Sequence, residues 1–260
     1  MTRRTGHVDA SYLDIAKAAL RAEKERSYEH LRLEDGHVVL EVGCGPATDT
    51  LDLAERVGDR GNVLGIDIDP KMIERARQRT REAGLTERVT HQVADATALP
   101  LADDTFDAVR AERVLQHLPE PLDALSEMVR VARHDGRVVV MDTDWGSLSI
   151  DTPEIETFRT LARIRSERAS VSGYVGRQLY RLFRQVGLRD ITIEPHPVPT
   201  SDLGLLRLAV QLDMLEETAV GEGQLSHEEV QRWRTSLNSA AETGTLFGYV
   251  TFIIASGTKA

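Results

Sequence analysis

Short apolar runs alternate with amphipathic stretches along the first half of the chain. The apolar runs have the length of buried β-strands, and the stretches between them carry apolar residues at helical spacing. Asp69 and Pro70 form a helix-start signal, in which a capping aspartate precedes a proline at the first helical position. Strands that alternate with helices predict parallel crossovers and a sheet covered on both faces. The predicted strands are 37–42, 62–68, 89–94, 106–111 and 137–142, and the predicted helices are 48–57, 70–83 and 121–132.

Outside this region the pattern is less regular. Residues 11–31, which include Tyr12, are predicted to form a helix before the first strand. Ser226 and Glu229 form a capping box that begins a helix near the end of the chain. The stretch 195–199, with prolines at alternate positions, is predicted to be a rigid connection. The other predicted helices are 152–169, 176–186 and 203–219, and the other predicted strands are 191–195 and 247–255.

Composition narrows the class of protein and its partners. The chain has 260 residues and a formal net charge of -10, which argues against a nucleic-acid partner because such partners usually require a basic face. Cys44 is the one cysteine, so no internal disulfide can form and a reducing cytoplasm suits the chain. No apolar run approaches the ~20 residues needed to span a bilayer. We therefore expect a cytoplasmic protein that partners neither membrane nor nucleic acid.

The turn after the first predicted strand carries the strongest functional signal. Glu41, Gly43 and Gly45 form an E-x-G-x-G pattern, in which the missing Cβ atoms let a nucleotide-like ligand lie directly on the backbone. A dinucleotide fingerprint requires a third glycine three residues later, where this chain has Thr48. That difference weakens the case for NAD. Cys44 is expected to be a small residue that fits a crowded turn, rather than a catalytic thiol.

Aspartates end the second and third predicted strands. Asp67 follows Gly45 by about 20 residues, where a carboxylate can accept hydrogen bonds from both ribose hydroxyls of an adenosine. Such a carboxylate would repel the 2′-phosphate of NADP. The alternative is a solvated aspartate at a strand end. Asp95, after the third predicted strand, is unremarkable by itself.

Together these blocks resemble the class I S-adenosylmethionine (SAM)-dependent methyltransferases, in the UbiE-like branch that acts on small molecules. The resemblance rests on the order and spacing of the blocks as well as on their residues, and it covers roughly residues 34–144. It implies an α/β, Rossmann-like fold with a seven-stranded, mostly parallel sheet whose last strand, 247–255, is antiparallel. The matching blocks are Leu40-Glu41-Val42-Gly43-Cys44-Gly45-Pro46, Gly65-Ile66-Asp67-Ile68-Asp69-Pro70-Lys71-Met72, Ala94-Asp95-Ala96 with Leu99-Pro100, Phe106-Asp107-Ala108-Val109, and Asp135-Gly136-Arg137-Val138-Val139-Val140.

The resemblance implies SAM as the cofactor, with S-adenosylhomocysteine (SAH) as its product. Gly43 and Gly45 would lie under the methionine part of SAM. Glu41 would support the amino group of SAM, directly or through water, and Asp67 would hold the ribose hydroxyls. The absent third glycine is then expected, because these families vary at that position.

The resemblance also assigns residues to the adenine and to the methyl-donor site. Ile68 would pack on the adenine and Asp95 would accept its amino hydrogen, with Ala96 nearby. The segment 111–117 would line the methyl-donor site. Arg113, in that segment, could meet the SAM carboxylate or an acid on the substrate, and the alternative is a surface ion pair.

Candidate catalytic residues follow the fourth and fifth predicted strands. His117 lies at the carboxyl edge of the sheet, where ligands of α/β proteins bind, and is the best candidate for a general base. Its alternative is a histidine that only packs or bonds a carbonyl. Asp142 and Asp144 end the fifth strand, and Asp144 is the second catalytic candidate. No metal is expected, because no Asp-Asn pair accompanies these carboxylates.

We expect a single methyltransferase domain over residues 1–260. Its parts would be an N-terminal helical lid at 1–33, a SAM-binding core at 34–150, and the rest of the sheet at 151–260 with lid helices at about 203–243. The apolar lid faces indicate an apolar or aromatic small-molecule acceptor, plausible for secondary metabolism. Two alternatives stay open: an NAD-dependent oxidoreductase, and a protein that uses SAM structurally for cyclisation or rearrangement.

Overall fold

A seven-stranded sheet is the centre of the computed structural model, which describes residues 20–169 and 171–260. The strands lie in the order β3-β2-β1-β4-β5-β7-β6. Strands β1 to β5 are parallel to one another, while β7 pairs antiparallel with both β5 and β6. The predicted mostly parallel sheet with an antiparallel last strand is confirmed. The strands are β1 (Val38–Val42), β2 (Asn62–Asp67), β3 (Val89–Val93), β4 (Phe106–Glu112), β5 (Ala132–Ile150), β6 (Arg189–Thr200) and β7 (Gly248–Thr258).

Helices cover both faces of the sheet. The described helices are α1 (Arg21–Leu31), α2 (Thr50–Arg56), α3 (Pro70–Glu82), α4 (Pro121–Val131), α5 (Ile155–Ile164), α6 (Val175–Gln185), α7 (Leu203–Val210), α8 (Leu212–Gly221) and α9 (His227–Glu242). On one face α1 and α2 pack against strand side chains such as Val39 and Met141. On the other face α4 and α6 pack against Val138 and Val140. Neighbouring residues of β5 therefore point to opposite layers of the protein.

A further apolar core lies beside the C-terminal end of β5. It joins α5, α7, α8 and α9 to Trp145 and Leu148 of that strand. Trp233 of α9 is fully buried there and stacks against Phe158, with ring centroids 6.3 Å apart. We refer to these four helices, α5, α7, α8 and α9, as the lid region. No helix in the described ranges is both long enough and apolar enough to cross a membrane.

Two helix starts agree with the sequence signals. The Asp69 carboxylate accepts a hydrogen bond from the Lys71 amide at 2.8 Å, and Pro70 opens α3. At the start of α9, the Ser226 hydroxyl accepts from the Glu229 amide while the Glu229 carboxylate accepts from the Ser226 amide. Both caps satisfy backbone donors that have no partner inside the helix.

Other helix predictions need correction. The single helix predicted at 203–219 is two helices, α7 and α8, because Gln211 takes a left-handed conformation with φ of 62° and ends the first one. The helix predicted at 152–169 is α5 followed by a π-helical turn, Arg165–Ala169. The part of the first predicted helix before residue 20, including Tyr12, lies outside the described residues.

The prediction of a rigid connection at 195–199 is wrong. These residues belong to β6, which is an edge strand that pairs only with β7 in the described sheet. Pro195, Pro197 and Pro199 are two residues apart, so the same side of the strand lacks N–H donors at all three. An edge strand tolerates this, because one of its sides has no ladder to complete.

Candidate active site

A cavity of about 490 Å³ opens at the carboxyl ends of the parallel strands. Its wall includes residues that follow β1, β2, β3 and β4, and it continues past β5 to the lid region. Leu20 and Lys24, at the start of α1, close one side of it. The volume and the position at the switch in strand order are typical of ligand sites in α/β proteins.

The glycine turn after β1 forms part of the cavity wall. Gly43 and Gly45 have φ angles of 70° and 54°, in the left-handed region that favours glycine. A Cβ atom on Gly43 would lie 2.3 Å from the Cγ2 atom of Val114, which faces it from the loop after β4. The sequence pattern at this turn therefore corresponds to a real steric requirement.

Asp67 is held at the cavity by the backbone. Its two carboxylate oxygens accept hydrogen bonds from the amides of Gly45 and Asp69, each at 2.9 Å. Burial raises the pKa of Asp67, and the two amide bonds oppose that shift. A carboxylate oxygen can accept more than one hydrogen bond, so the group can also receive hydroxyl donors from a ligand.

The ends of β2 and β3 bring an apolar surface and a carboxylate together. Ile68 is 51% exposed although it is large and apolar, and it lines the cavity with Asp95 and Ala96. The Asp95 side chain accepts hydrogen bonds from the amide and the hydroxyl of Thr97, at 2.9 and 2.7 Å, which fixes its direction. The structure thus brings together the residues assigned to an adenine by resemblance.

Glu41 does not lie on the cavity wall. Its side chain is buried behind the glycine turn and accepts a hydrogen bond from Arg110, which is itself fully buried. Burial is the main cause that raises the pKa of Glu41. A direct contact between Glu41 and a ligand in the cavity is therefore contradicted, because the side chain lies behind the wall, while support through water stays a prediction.

The cavity wall near Glu41 is instead formed by a buried charge network that the sequence reading missed. Lys24, only 3% exposed, contacts Asp49 at 2.8 Å and also pairs with Glu112. Arg110 joins this network from behind, through Glu112 at 2.7 Å. Burial opposes ionisation of Asp49, but Arg110 and Lys24 outweigh it and lower the pKa of Asp49. Lys24, Asp49 and Glu112 all line the cavity.

Arg113 and His117 lie on the wall between the glycine turn and the lid region. Arg113 has a φ of 54° and its Nε atom lies 3.3 Å from a Glu112 carboxylate oxygen. Burial lowers the pKa of His117, and the positive charges of Arg165 and Arg113 lower it further. The imidazole is therefore neutral at neutral pH and can accept a proton.

The structure contradicts the catalytic role predicted for Asp144. Its carboxylate faces α6, where the Nε atom of Arg177 donates to both oxygens at 2.9 and 2.8 Å. It is absent from the cavity wall, which Thr143 and Trp145 line from the opposite face of β5. Asp142 is fully buried on the same side as Asp144 and accepts the amides of Gln116 and Thr143. Burial raises the pKa of Asp142 to about 7.

Across the described ranges 20–169 and 171–260, no group of three or more His, Cys, Asp or Glu side chains is arranged to hold a metal ion. The carboxylates near the cavity are occupied by lysine, arginine and backbone donors instead.

The fold and the cavity define a class of protein: a Rossmann-like α/β protein with a ligand-sized cavity at the carboxyl ends of its parallel strands. Comparison with known proteins gives the family. The sequence profile described as "Methyltransferase domain" matches residues 33–187, and the chain belongs to this methyltransferase family.

Two curated proteins are similar to this chain, and the second is named a methyltransferase. The chain is 36% identical over 248 residues to an uncharacterized 37.1 kDa protein in transposon TN4556 of Streptomyces fradiae, which covers 95% of this chain and 70% of that protein. It is 38% identical over 160 residues to the methyltransferase GfsG of Streptomyces halstedii, which covers 61% of this chain and 57% of GfsG. This chain thus spans less than two thirds of GfsG.

Solved structures share the fold. YcgJ of Bacillus subtilis superposes with a TM-score of 0.63 at 20% identity, covering 93% of this chain and 98% of YcgJ. The [4+2]-cyclase SpnF superposes with a TM-score of 0.57 at 21% identity, covering 92% of this chain and 80% of SpnF. At such identities the likeness is one of fold alone. The family match identifies the protein as a SAM-dependent methyltransferase.

Proposed function

We propose that this enzyme transfers a methyl group from SAM to a small, largely apolar organic molecule bound under the lid region. The observation that carries the proposal is the continuity of the cavity. One space runs from Asp67 and Asp95, past His117, to Trp145 and the lid helices. A donor and an acceptor can therefore meet inside it without crossing bulk water.

The described residues fit SAM at one end of this space. The exposed face of Ile68 suits an adenine ring, and the Asp67 carboxylate, aimed by two backbone amides, suits the ribose hydroxyls. Gly43 and Gly45 line the cavity and suit the methionine part, because they have no side chain that would cover the backbone there. Glu112 and Lys24 offer opposite charges to the amino and carboxylate groups of that part.

SAM, when bound, supplies an electrophilic methyl group, so the protein contributes position, exclusion of water and proton acceptance. His117 is our candidate for the proton acceptor, because it lies on the wall between the two ends and is neutral at neutral pH. The lid end is lined mainly by apolar and aromatic side chains, which suits an acceptor of the kind found in secondary metabolism. These side chains include Trp145, Leu148, Leu206, Val210, Tyr249 and Phe252.

Two measurements test the proposal. Calorimetry with SAH and with NAD should show binding of SAH alone, and incubation of the protein with methyl-labelled SAM and a small-molecule extract should give a labelled product. Binding of SAH without any labelled product would overturn methyl transfer and favour a structural use of SAM, such as cyclisation. Binding of NAD in place of SAH would overturn the cofactor assignment itself.

A further inference from the structure

No hydrogen bond to a described residue holds the imidazole of His117, although it is the candidate proton acceptor. The side chain is exposed on the cavity wall, and its ring nitrogens have no partner in the part of the chain that the structure describes. A general base is commonly oriented by a third group that bonds its other ring nitrogen. Here the position of the ring depends instead on the 3₁₀ turn Leu115–His117, which follows β4 and carries it.

The carboxylate of Asp142 holds this turn from the sheet. Asp142 is 0% exposed on β5, and one of its oxygens accepts the Gln116 amide at 3.2 Å. The other oxygen accepts the Thr143 amide at 2.9 Å, which fixes the carboxylate on its own strand. Within residues 20–169 and 171–260 no lysine or arginine forms an ion pair with it. Since its polar partners are backbone amides, the carboxylate serves to hold backbone rather than to balance a charge.

Ser172 holds the same turn from the segment before α6. Its amide donates to the Gln116 carbonyl at 2.9 Å, and its hydroxyl donates to the Leu118 carbonyl at 2.7 Å. The residues on both sides of His117 are therefore bonded to Ser172. The carbonyl of Gly173, the next residue, accepts an amide of β5 at 2.9 Å, which ties this segment to the sheet.

The side chain of Gln116 adds a third contact to the turn. Its oxygen accepts the indole N–H of Trp145 at 2.6 Å, and its nitrogen donates to the Arg113 carbonyl at 3.4 Å. Gln116 is buried, with both its backbone groups and its side chain bonded. The backbone next to His117 is thus fixed from several directions, which leaves the imidazole little freedom beyond its own side-chain rotation.

We propose that Asp142 and Ser172 are positioning residues, which fix the turn Leu115–His117 so that the His117 imidazole meets the acceptor in the cavity. The inference rests on the proposed function, in which His117 accepts the proton of the acceptor. Neither Asp142 nor Ser172 lines the cavity, so each acts through the backbone of the turn. Misplacement of a reacting group by about 1 Å can lower a rate ~100-fold, so these hydrogen bonds bear on catalysis.

The variant Asp142→Asn removes the main contact on the sheet side. It keeps the size of the side chain but places an NH₂ group where one oxygen accepted an amide, so one of the two amides loses its acceptor. Burial raises the pKa of Asp142 to about 7, which means that the site already favours a neutral group. The variant should therefore fold, which thermal unfolding and calorimetry with SAH verify.

The first readout is the NMR signal of the His117 ring, which needs no acceptor. The full chain carries isotope-labelled histidine and is saturated with SAH, and His117→Asn assigns the signal by removing it. In Asp142→Asn we expect this signal to move and the pKa of His117 to rise toward its ordinary value. A displaced ring loses part of the burial that lowers its pKa, and it moves relative to the positive charges of Arg113 and Arg165.

The second readout is the rate of methyl-label transfer to the small-molecule extract at saturating SAM. Asp142→Asn should lower this rate ~10-fold or more, because the base is misplaced. Ser172→Ala keeps its amide bond and loses only the hydroxyl bond to Leu118, so the rate should fall ~3-fold and the His117 signal should move less. The Kd for SAH should stay within ~3-fold of the wild type in both variants, since neither residue lines the cavity.

Asp144→Asn is the matched control for Asp142→Asn. Asp144 lies two residues further along β5 and is also buried, and the substitution removes an equal charge. Its carboxylate accepts from Arg177 of α6 and from the Gly146 amide, and not from the turn. The His117 ring signal should stay in place in this variant.

Ser126→Ala is the matched control for Ser172→Ala. The Ser126 hydroxyl also donates to a backbone carbonyl, that of Leu122 at 2.8 Å, but it lies on α4 and is absent from the cavity wall. This variant loses the same kind of hydrogen bond without a contact to the turn. Its His117 ring signal and its rate of label transfer should equal those of the wild type.

With SAH bound, a His117 ring signal and a rate that match the wild type in Asp142→Asn overturn the inference. An equal movement of the signal in Asp144→Asn also overturns it, because the effect would then come from loss of charge on β5. If Asp142→Asn does not fold, Ser172→Ala decides, and an unmoved signal with a wild-type rate is the negative result. Failure of the proposed function is distinct: the wild type would not bind SAH, or His117→Asn would keep the wild-type rate.

Discussion

Replacement of Asp67 by alanine is the most direct test of how the enzyme holds its cofactor. The Asp67 carboxylate is fixed by the amides of Gly45 and Asp69, both at 2.9 Å, and faces the cavity from the end of β2. If it holds the two ribose hydroxyls of SAM, its removal deletes two hydrogen bonds to a charged group. The substitution also removes the acceptor of the Gly45 and Asp69 amides, which must then hydrogen-bond water.

The size of the effect follows from these contacts. A hydrogen bond to a charged group contributes about 1.5–3 kcal/mol, so two contribute about 3–6 kcal/mol. Water that enters the space left by the side chain can hydrogen-bond the ribose and recover part of this. We therefore expect a loss of about 3 kcal/mol, which is a ~100-fold rise in Kd for SAH. The free energy of unfolding should fall by about 1–2 kcal/mol, because water replaces the carboxylate at the two amides.

Isothermal titration calorimetry with SAH measures this change, and thermal unfolding confirms that the variant is folded. Asp69→Asn is the matched control. It removes an equal charge two residues away, yet an asparagine keeps an oxygen to cap α3, so SAH affinity should stay within about threefold. A Kd for Asp67→Ala within threefold of the wild type would refute the ribose assignment.

Four further predictions follow from the site. Burial raises the pKa of Asp67, so this side chain is protonated at a higher pH than an ordinary aspartate. SAH affinity should therefore fall as the pH decreases through that range, which titration calorimetry at several acidic pH values measures. An SAH affinity that does not change with pH contradicts the prediction. Gly43→Ala should abolish measurable SAH binding, because its Cβ would lie 2.3 Å from Val114 and a φ of 70° disfavours alanine; wild-type affinity contradicts this. Lys24→Met should lower the free energy of unfolding by about 3–5 kcal/mol in urea, because it leaves two buried carboxylates short of a partner, whereas Arg159→Gln at an exposed pair should leave stability unchanged. Asp144→Asn should keep the rate of label transfer within a few-fold of the wild type, because its side chain faces away from the cavity. His117→Asn should reduce this rate ~100-fold, as the loss of a general base does. A His117→Asn rate equal to that of the wild type would remove His117 from the mechanism.

The parts of the site that sequence could predict are those with local signals. Gly43 and Gly45 follow a strand and precede a helix, and their positive φ angles are the physical reason for glycine there. Asp67 and Asp95 end neighbouring parallel strands, so the alternation of strands and helices alone places them at one edge of the sheet. The same reasoning places His117 after β4.

The charge network could not be predicted in this way. Lys24 meets Asp49 and Glu112 from 25 and 88 residues away, and only the packing of α1 across the sheet brings them together. The position of Glu41 in the motif is a local signal and predicts a role at the ligand, whereas its partner Arg110 lies on another strand. Long-range pairs of this kind leave no periodic trace in a single sequence.

The direction of Asp144 was also beyond the sequence. Strand β5 is buried on both faces, so its residues show no alternation of apolar and polar types that would reveal which face is which. Asp142 and Asp144 share one face, and Thr143 and Trp145 share the other. The sequence alone therefore does not show which face of β5 points to the cavity. The packing of α6 against β5 determines this, because it brings Arg177 to Asp144.

The buried charge network beside the glycine turn bears on function more than on stability. A buried cluster of ion pairs is often no more stable than apolar side chains of the same volume. At the network, the carboxylates of Glu41, Asp49 and Glu112 meet three cations, and Asp67, Asp69 and Asp95 add further carboxylates to the same part of the cavity wall. Excess acid in this part of the cavity favours a positively charged ligand there. Such a site favours SAM, whose sulfonium group is positively charged, over a neutral donor.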